Sequence, residues 1–264
     1  MHFSVTRNLK MVAAWMTVFL HALQGTSLSP EPYSAYSGRS SLTLSIKVFM
    51  EGPYTSGVMT THLNNLGLIP LSQPYSAPPL AYPGSENVAA MPPGVVDWVL
   101  VELREGATPP AATTVIARRA GLLKSNGDIV DLDGTSPLSF TDLTFSQNLY
   151  PLVRHRNHLA AMAADPAQST GPGTYACDMS QPGSIFGSGW KLLPGGKLGM
   201  VAANGFCDKH VNNSDLQDNT AGWLPGFGFS GMYTFADFNL DGEVNNTDFN
   251  IFWLVNFGIS DDIP

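Results

Sequence analysis

Near the end of the chain, Asp237-Phe238-Asn239-Leu240-Asp241-Gly242-Glu243-Val244-Asn245-Asn246-Thr247-Asp248 sets oxygen-bearing side chains at positions one, three, five, nine and twelve of a twelve-residue loop. That spacing suits a hard divalent cation, because alternate residues of a tightly wound loop point inward. Asp237, Asn239, Asp241, Asn245 and Asp248 are the expected side-chain ligands, Glu243 at position seven offers its backbone carbonyl, and the expected ion is Ca2+. Gly242 at position six permits the sharp turn. Asp248 stands where the EF-hand has Glu, which shortens the reach at that vertex.

A partial copy precedes this loop. Val211-Asn212-Asn213-Ser214-Asp215 returns 33 residues later as Val244-Asn245-Asn246-Thr247-Asp248. Carried backward, the alignment puts Asn204 at position one, Asp208 at five, His210 at seven and Asp215 at twelve, but Phe206 at three and Lys209 in place of the glycine. One ligand is lost and a cation is added, so this degenerate loop is expected to bind calcium weakly or not at all and to persist for packing.

Other polar groups carry weaker signals. Arg154-His155-Arg156-Asn157-His158 could suggest a metal pair, but on a strand His155 and His158 would face opposite sides; the arginines are expected to pair with acids such as Glu102. Asp128, Asp131, Asp133 and Gly134 read as a solvated turn. The chain has no Gly-x-Ser-x-Gly elbow, His-Glu-x-x-His helix or phosphate loop. Cys177 and Cys207 permit one disulfide or are two small buried apolar groups.

The elements that must position these groups come next. Phe249, Phe252 and Val255 predict a short helix starting at the last ligand with those three on its buried face. Upstream, Leu42, Leu44, Ile46, Val48 and Met50 alternate as in a half-buried strand, whereas Val95 to Leu103 is apolar on both faces and predicts a central one. Asn126-Gly127 marks a hairpin, residues 138–143 and 149–155 are further strands, and Pro70 to Pro93 is a long loop. The expected fold is mainly β: an antiparallel, Ig-like β-sandwich over residues 42–195, followed by a small α-helical calcium-binding unit over 196–264.

Composition agrees with short strands and turns. Of 264 residues, 13% are charged, about half the usual quarter, while Gly and Pro number 26 and 20, which sets aside coiled coils and long charged helices. The net charge of −8 arises wholly beyond Lys209, where eight acids meet no Lys or Arg. No basic stripe offers itself to nucleic acid. Arg7 and Lys10, the apolar run Met11 to Leu23, and Gly25 and Ser27 read as a signal peptide over residues 1–27, with a retained membrane anchor as the alternative reading; residues 28–41 read as an extended arm. The mature chain is expected to have no membrane span and to be secreted or held at a cell surface.

The loop pair resembles the duplicated calcium repeat of dockerins, Asp-x-Asn-x-Asp-Gly-x-Val-Asn-x-x-Asp followed by a helix, which residues 237–248 match throughout. With Lys47 to Tyr54, Val95 to Arg104 and Val153 to Leu159, it resembles a module at the C-termini of large bacterial secreted and surface proteins. The resemblance implies a non-catalytic β-rich domain fused to a dockerin-like calcium unit. Three functions are expected in order: a structural subunit associating with itself as a surface layer or filament, or with a surface partner; a docking module for a cohesin-type receptor; and a carbohydrate binder or carbohydrate-acting protein with Trp190 and Trp223 lining a groove.

Overall fold

Leu42, Leu44 and Ile46 are buried while Ser41 and Ser45 are exposed, so the two-residue alternation is realised in the strand Ser40–Lys47. Val95–Gly106 has no wet face. Every residue from Val95 to Arg104 is buried, and the strand runs antiparallel between Thr114–Lys124 and Asn148–Arg154, the central place its sequence predicts. Gly127, with φ of 90°, turns Thr114–Lys124 into Asp128–Val130, and its N–H donates to the Lys124 carbonyl at 2.9 Å.

The computed structural model describes residues 40–264; the leader and nearly all of the arm lie outside them. The fold is mainly β, dominated by a large curled sheet rich in antiparallel pairs. Its hydrogen-bonded order is Gln168–Gly171, Thr174–Asp178, Ser40–Lys47, Asp128–Val130, Thr114–Lys124, Val95–Gly106, Asn148–Arg154, Ala161–Ala163 and Ile185–Phe186, with Leu138–Leu143 pairing Ser40–Lys47 off that path. Within this large sheet one pair is parallel: Thr43 lies opposite Thr174 and Lys47 opposite Asp178. A smaller sheet joins Trp190–Leu193, Lys197–Met200 and Phe49–Met50. The proline-rich loop covers the central strand, Tyr75 donating to the Trp98 carbonyl at 2.6 Å and Trp98 Nε1 to the Pro70 carbonyl at 2.8 Å. Among the described residues no helix is long and apolar enough to cross a membrane.

All described residues belong to one compact unit. Beyond Met200 the chain forms short helical turns, Asn213–Gln217, Trp223–Gly226, Asp248–Trp253 and Leu254–Asn256, over a second core of Leu159, Val201, Val211, Trp223, Phe238, Val244, Phe252 and Trp253. The helix after Asp248 begins where expected, but its buried face differs. Residues 248–253 form a π-turn, whose i→i+5 bonds widen the turn. The 3.6-residue period from Phe249 carries the buried face through Phe252, Trp253 and Asn256, and Val255 is exposed. The cysteines are both free: Cys177 lies in Thr174–Asp178, Cys207 in the first loop, and burial pushes each thiol up to about 12.

Candidate functional site

The second loop closes on its own polar groups. Asp237 accepts from the N–H of Asp241 at 3.1 Å and of Gly242 at 2.9 Å; Asn239 accepts from Asp241 N–H at 3.1 Å, and Asp241 from Glu243 N–H at 2.9 Å. Asp248 reaches back across the loop, accepting from Phe238 and Asn239 N–H with one oxygen and from Asn245 N–H at 2.9 Å with the other. Asn245 accepts from Thr247 N–H at 2.7 Å. Leu240 and Gly242 take φ of 61° and 88°, which makes the tight winding that brings positions one, three and five near each other.

The first loop repeats most of these bonds at corresponding positions. Asn204 accepts from Asp208 N–H at 3.1 Å, Asp208 from His210 N–H at 2.7 Å, and Asp215 from Phe206 N–H at 2.9 Å and Asn212 N–H at 2.7 Å. Cys207 has φ of 59°, matching Leu240. These turn-forming bonds are thus shared although the side chains at positions three and six differ. Phe206 is an exposed apolar side chain at position three, and the Lys209 ammonium donates to the Ile263 carbonyl at 2.5 Å.

Sequence reasoning missed how far the duplication extends. Trp223-Leu224-Pro225-Gly226-Phe227-Gly228 returns as Trp253-Leu254-Val255-Asn256-Phe257-Gly258, 30 residues on, whereas the loops repeat at 33. The copies are strapped crosswise. Val211, at position eight of the first loop, exchanges backbone bonds with Gly258 and Ile259 at 2.8 and 2.9 Å, and Val244, its counterpart, does so with Gly228 and Phe229 at 2.9 and 2.8 Å. Trp223 Nε1 donates to the Asn245 carbonyl at 2.9 Å and Trp253 Nε1 to the Asn212 carbonyl at 3.0 Å. Each copy's helix therefore closes on the other copy's loop. Trp223, at 9% exposure, is committed to this packing and does not line an open groove.

A buried polar cluster ties both loops to the sheet. The strand Asn148–Arg154 ends before His155, so the alternation expected to separate the histidines does not apply: their Nδ1 atoms lie 3.2 Å apart. Asp97, His155, Arg156, Asn157 and His158 are all sealed from solvent. The Asp97 carboxylate accepts from Arg156 Nε at 3.0 Å, Tyr233 Oη at 2.7 Å and Trp98 N–H at 2.8 Å, and meets His155 Nε2 at 3.2 Å. Burial alone would raise Asp97, but Arg156 and His155 more than offset it and hold the carboxyl below its ordinary value. Arg156 also donates to the Thr234 carbonyl. Glu102 pairs, as expected, with Arg154 at 3.0 Å, and also with Arg104.

Asn157 sits at the junction. Its carbonyl accepts from Asn204 N–H at 3.0 Å, and its Nδ2 donates to the Asp237 carbonyl at 2.6 Å, so one residue holds position one of both loops. Gly52 N–H donates to His158 Nε2 at 3.2 Å, which leaves the proton of a neutral ring on Nδ1, facing Asn157 Oδ1 at 2.8 Å. Burial depresses both histidines, His158 well below its ordinary value, so the cluster is built for neutral rings.

As a cation site, the second loop offers suitable donors in an unfinished arrangement. Asp237 and Asp248 are fully buried, and among the described residues neither lies in a salt bridge. Burial lifts them to about 7 and about 6. In the first loop burial lifts Asp215 to about 7. Buried carboxylates of this kind are what a divalent ion stabilises in the charged form. The carboxylate oxygens are instead turned to backbone N–H groups, and among the described residues no three His, Cys, Asp or Glu side chains are arranged to hold one ion. The acidic turn at residues 131–136 is self-satisfied, Asp131 pairing with Arg119 at 2.7 Å and Asp133 accepting from Thr135 and Ser136. No family model, curated protein or solved structure matches the chain.

Proposed function

We propose that this chain is a secreted, non-catalytic structural module whose C-terminal loops are stiffened by calcium and which assembles with copies of itself, as a surface layer or filament subunit, or with a surface partner. On this reading the curled sheet is an Ig-like sandwich and the duplicated loops are a dockerin-like unit; a docking module for a cohesin-type receptor is the alternative within the same architecture. The observation that carries the reading is the pair of buried acids Asp237 and Asp248 at the two ends of a loop whose other oxygens come from Asn239, Asp241, Asn245 and the Glu243 carbonyl. Bound there, calcium would supply the positive charge that lets both carboxylates stay ionised in the interior.

A structural role is favoured over catalysis by where the chain spends its polar groups. Asp97, His155 and His158 have the residue types of an acid-base site, yet they lie beyond the reach of any substrate and serve to join the loops to the sheet. The carbohydrate reading loses support with the burial of Trp223.

The test is thermal unfolding of Asp241→Ala against the parent, in calcium and in chelator. Binding to the folded form alone adds about 2.7 kcal/mol when calcium stands at about 100 times Kd. The substitution should lower Tm in calcium and change little in chelator. An equal loss in both conditions refutes Asp241 as a ligand.

A further inference from the structure

The duplicated segment displays a feature that neither loop nor sheet needs. Five rings stand in a row, Phe227, Trp223, Phe249, Trp253 and Phe257, with successive centroids 4.9, 4.8, 5.2 and 5.1 Å apart. The inner three rings belong to the packed interior, but the two end phenylalanines are about half exposed. Leu224 and Leu254, each next to a tryptophan, are likewise exposed, and Ile251 and Val255 extend the outer side of the second helix, three or four residues from their neighbours. These six side chains are exposed by 51–58%. At about 200 Å2 for a large side chain they present about 600 Å2 of apolar surface, the upper end of what a lone soluble chain leaves open.

We propose that this aromatic-edged band is where a second copy of the chain docks, so that the self-association inferred above, on which this step rests, runs through the duplicated segment and not through the sheet edges. Three observations select a second copy as occupant. The area approaches the roughly 800 Å2 per partner of a stable interface, with a polar rim still to be added. The band is electrically blank: no charged residue occurs in 219–236 or 249–260, although the chain carries −8 overall, so two copies meet here without placing like charges against each other. A nucleic acid or charged polysaccharide would find no counter-charge. The band is also made of two similar halves, Trp-Leu-x-x-Phe-Gly at 223–228 and at 253–258. A two-fold dimer sets patch i on patch j and j on i, so Leu254, Val255 and Phe257 of one chain can cover Leu224 and Phe227 of the other, and the reverse.

Sedimentation velocity of the full chain over a dilution series in calcium tests this, with Leu254→Glu/Val255→Glu as the interface variant, Leu224→Glu as a second, and Leu192→Glu, on the exposed side of Trp190–Leu193, as the control. Near-UV circular dichroism reports whether each variant is folded. The expected result is a parent dimer, a Leu192→Glu dimer, and folded band variants whose dissociation constant rises by about 100-fold or more, because two glutamates would be buried without partners. If the folded band variants associate like the parent, the band is not the interface while self-association stands. If the parent stays monomeric at every concentration, the self-association reading itself fails and this surface with it.

Discussion

Asn157→Asp is the most informative single change, because it keeps shape while inverting one donor. In the parent, Nδ2 donates to the Asp237 carbonyl at 2.6 Å and Oδ1 faces the Nδ1 proton of His158 at 2.8 Å. Aspartate retains the second contact and replaces the first with an oxygen pressed against a carbonyl oxygen, in a site with no solvent exposure. A buried acceptor left unmade costs about 1–3 kcal/mol, and an added buried charge near Asp237 costs more unless the new acid takes up a proton. Asn157→Ala leaves the same carbonyl unmet and opens a small cavity, at about 2–4 kcal/mol, but adds no repulsion. The expected order of stability is parent, then alanine, then aspartate, with aspartate at least about 3 kcal/mol below the parent. Urea unfolding followed through the buried tryptophans Trp98, Trp223 and Trp253 reads this directly. If Asn157 merely filled space, aspartate would lie within about 1 kcal/mol of the parent and above alanine. That result would refute the claim that its amide fastens the loops to the sheet.

Gly52 should tolerate no side chain: a Cβ there would run into the Phe238 backbone carbonyl, which no side-chain rotation can move aside. Gly52→Ala is expected to cost about 3 kcal/mol or more in urea unfolding, and a loss under about 1 kcal/mol would show that the second loop is not seated on this turn. Stability should also fall in acid because of His155 and His158. Their folded values lie below the ordinary 6.5, so their contribution is complete above that pH and is lost as pH drops through the window beneath it, where unfolding takes up protons. His158→Gln should reduce the slope of stability against pH by up to about 1.4 kcal/mol per pH unit between roughly pH 6.5 and 5. Equal slopes in the two proteins would mean that His158 is not held neutral by the fold.

Local pattern carried much of the sheet. Alternation in Leu42, Leu44 and Ile46, the two apolar faces of Val95 to Leu103, and Asn126-Gly127 each set a backbone choice that near neighbours decide, and each is realised. The parallel pairing of Ser40–Lys47 with Thr174–Asp178 joins segments some 130 residues apart, and nothing in either segment names the other. The histidine separation was misjudged because the strand stops at Arg154, one residue before the first ring. A signal for the cluster did exist: Asp97 is an acid inside an otherwise apolar central run, and such an acid must find donors. Strict three-residue spacing puts Val255 inward, whereas the 3.6-residue period from Phe249 leads through Phe252 and Trp253 to Asn256 and leaves Val255 outside.

The longer duplication escaped notice because the distance between copies is not constant. Loop positions repeat at 33 residues and the tryptophan segments at 30, so a fixed-period comparison loses the second match within a few residues. What survives the three-residue difference is the crosswise contact: Trp223 on Asn245, Trp253 on Asn212, Val211 against Ile259 and Val244 against Phe229. An arrangement in which each helix closes the other copy's loop makes both copies necessary to either, whatever side chains each loop carries. This accounts for a first loop that keeps Asn204, Asp208 and Asp215 in their turn-forming roles although Phe206 and Lys209 stand where the second loop has Asn239 and Gly242: the crosswise contacts grip the backbone and leave those side chains free to differ.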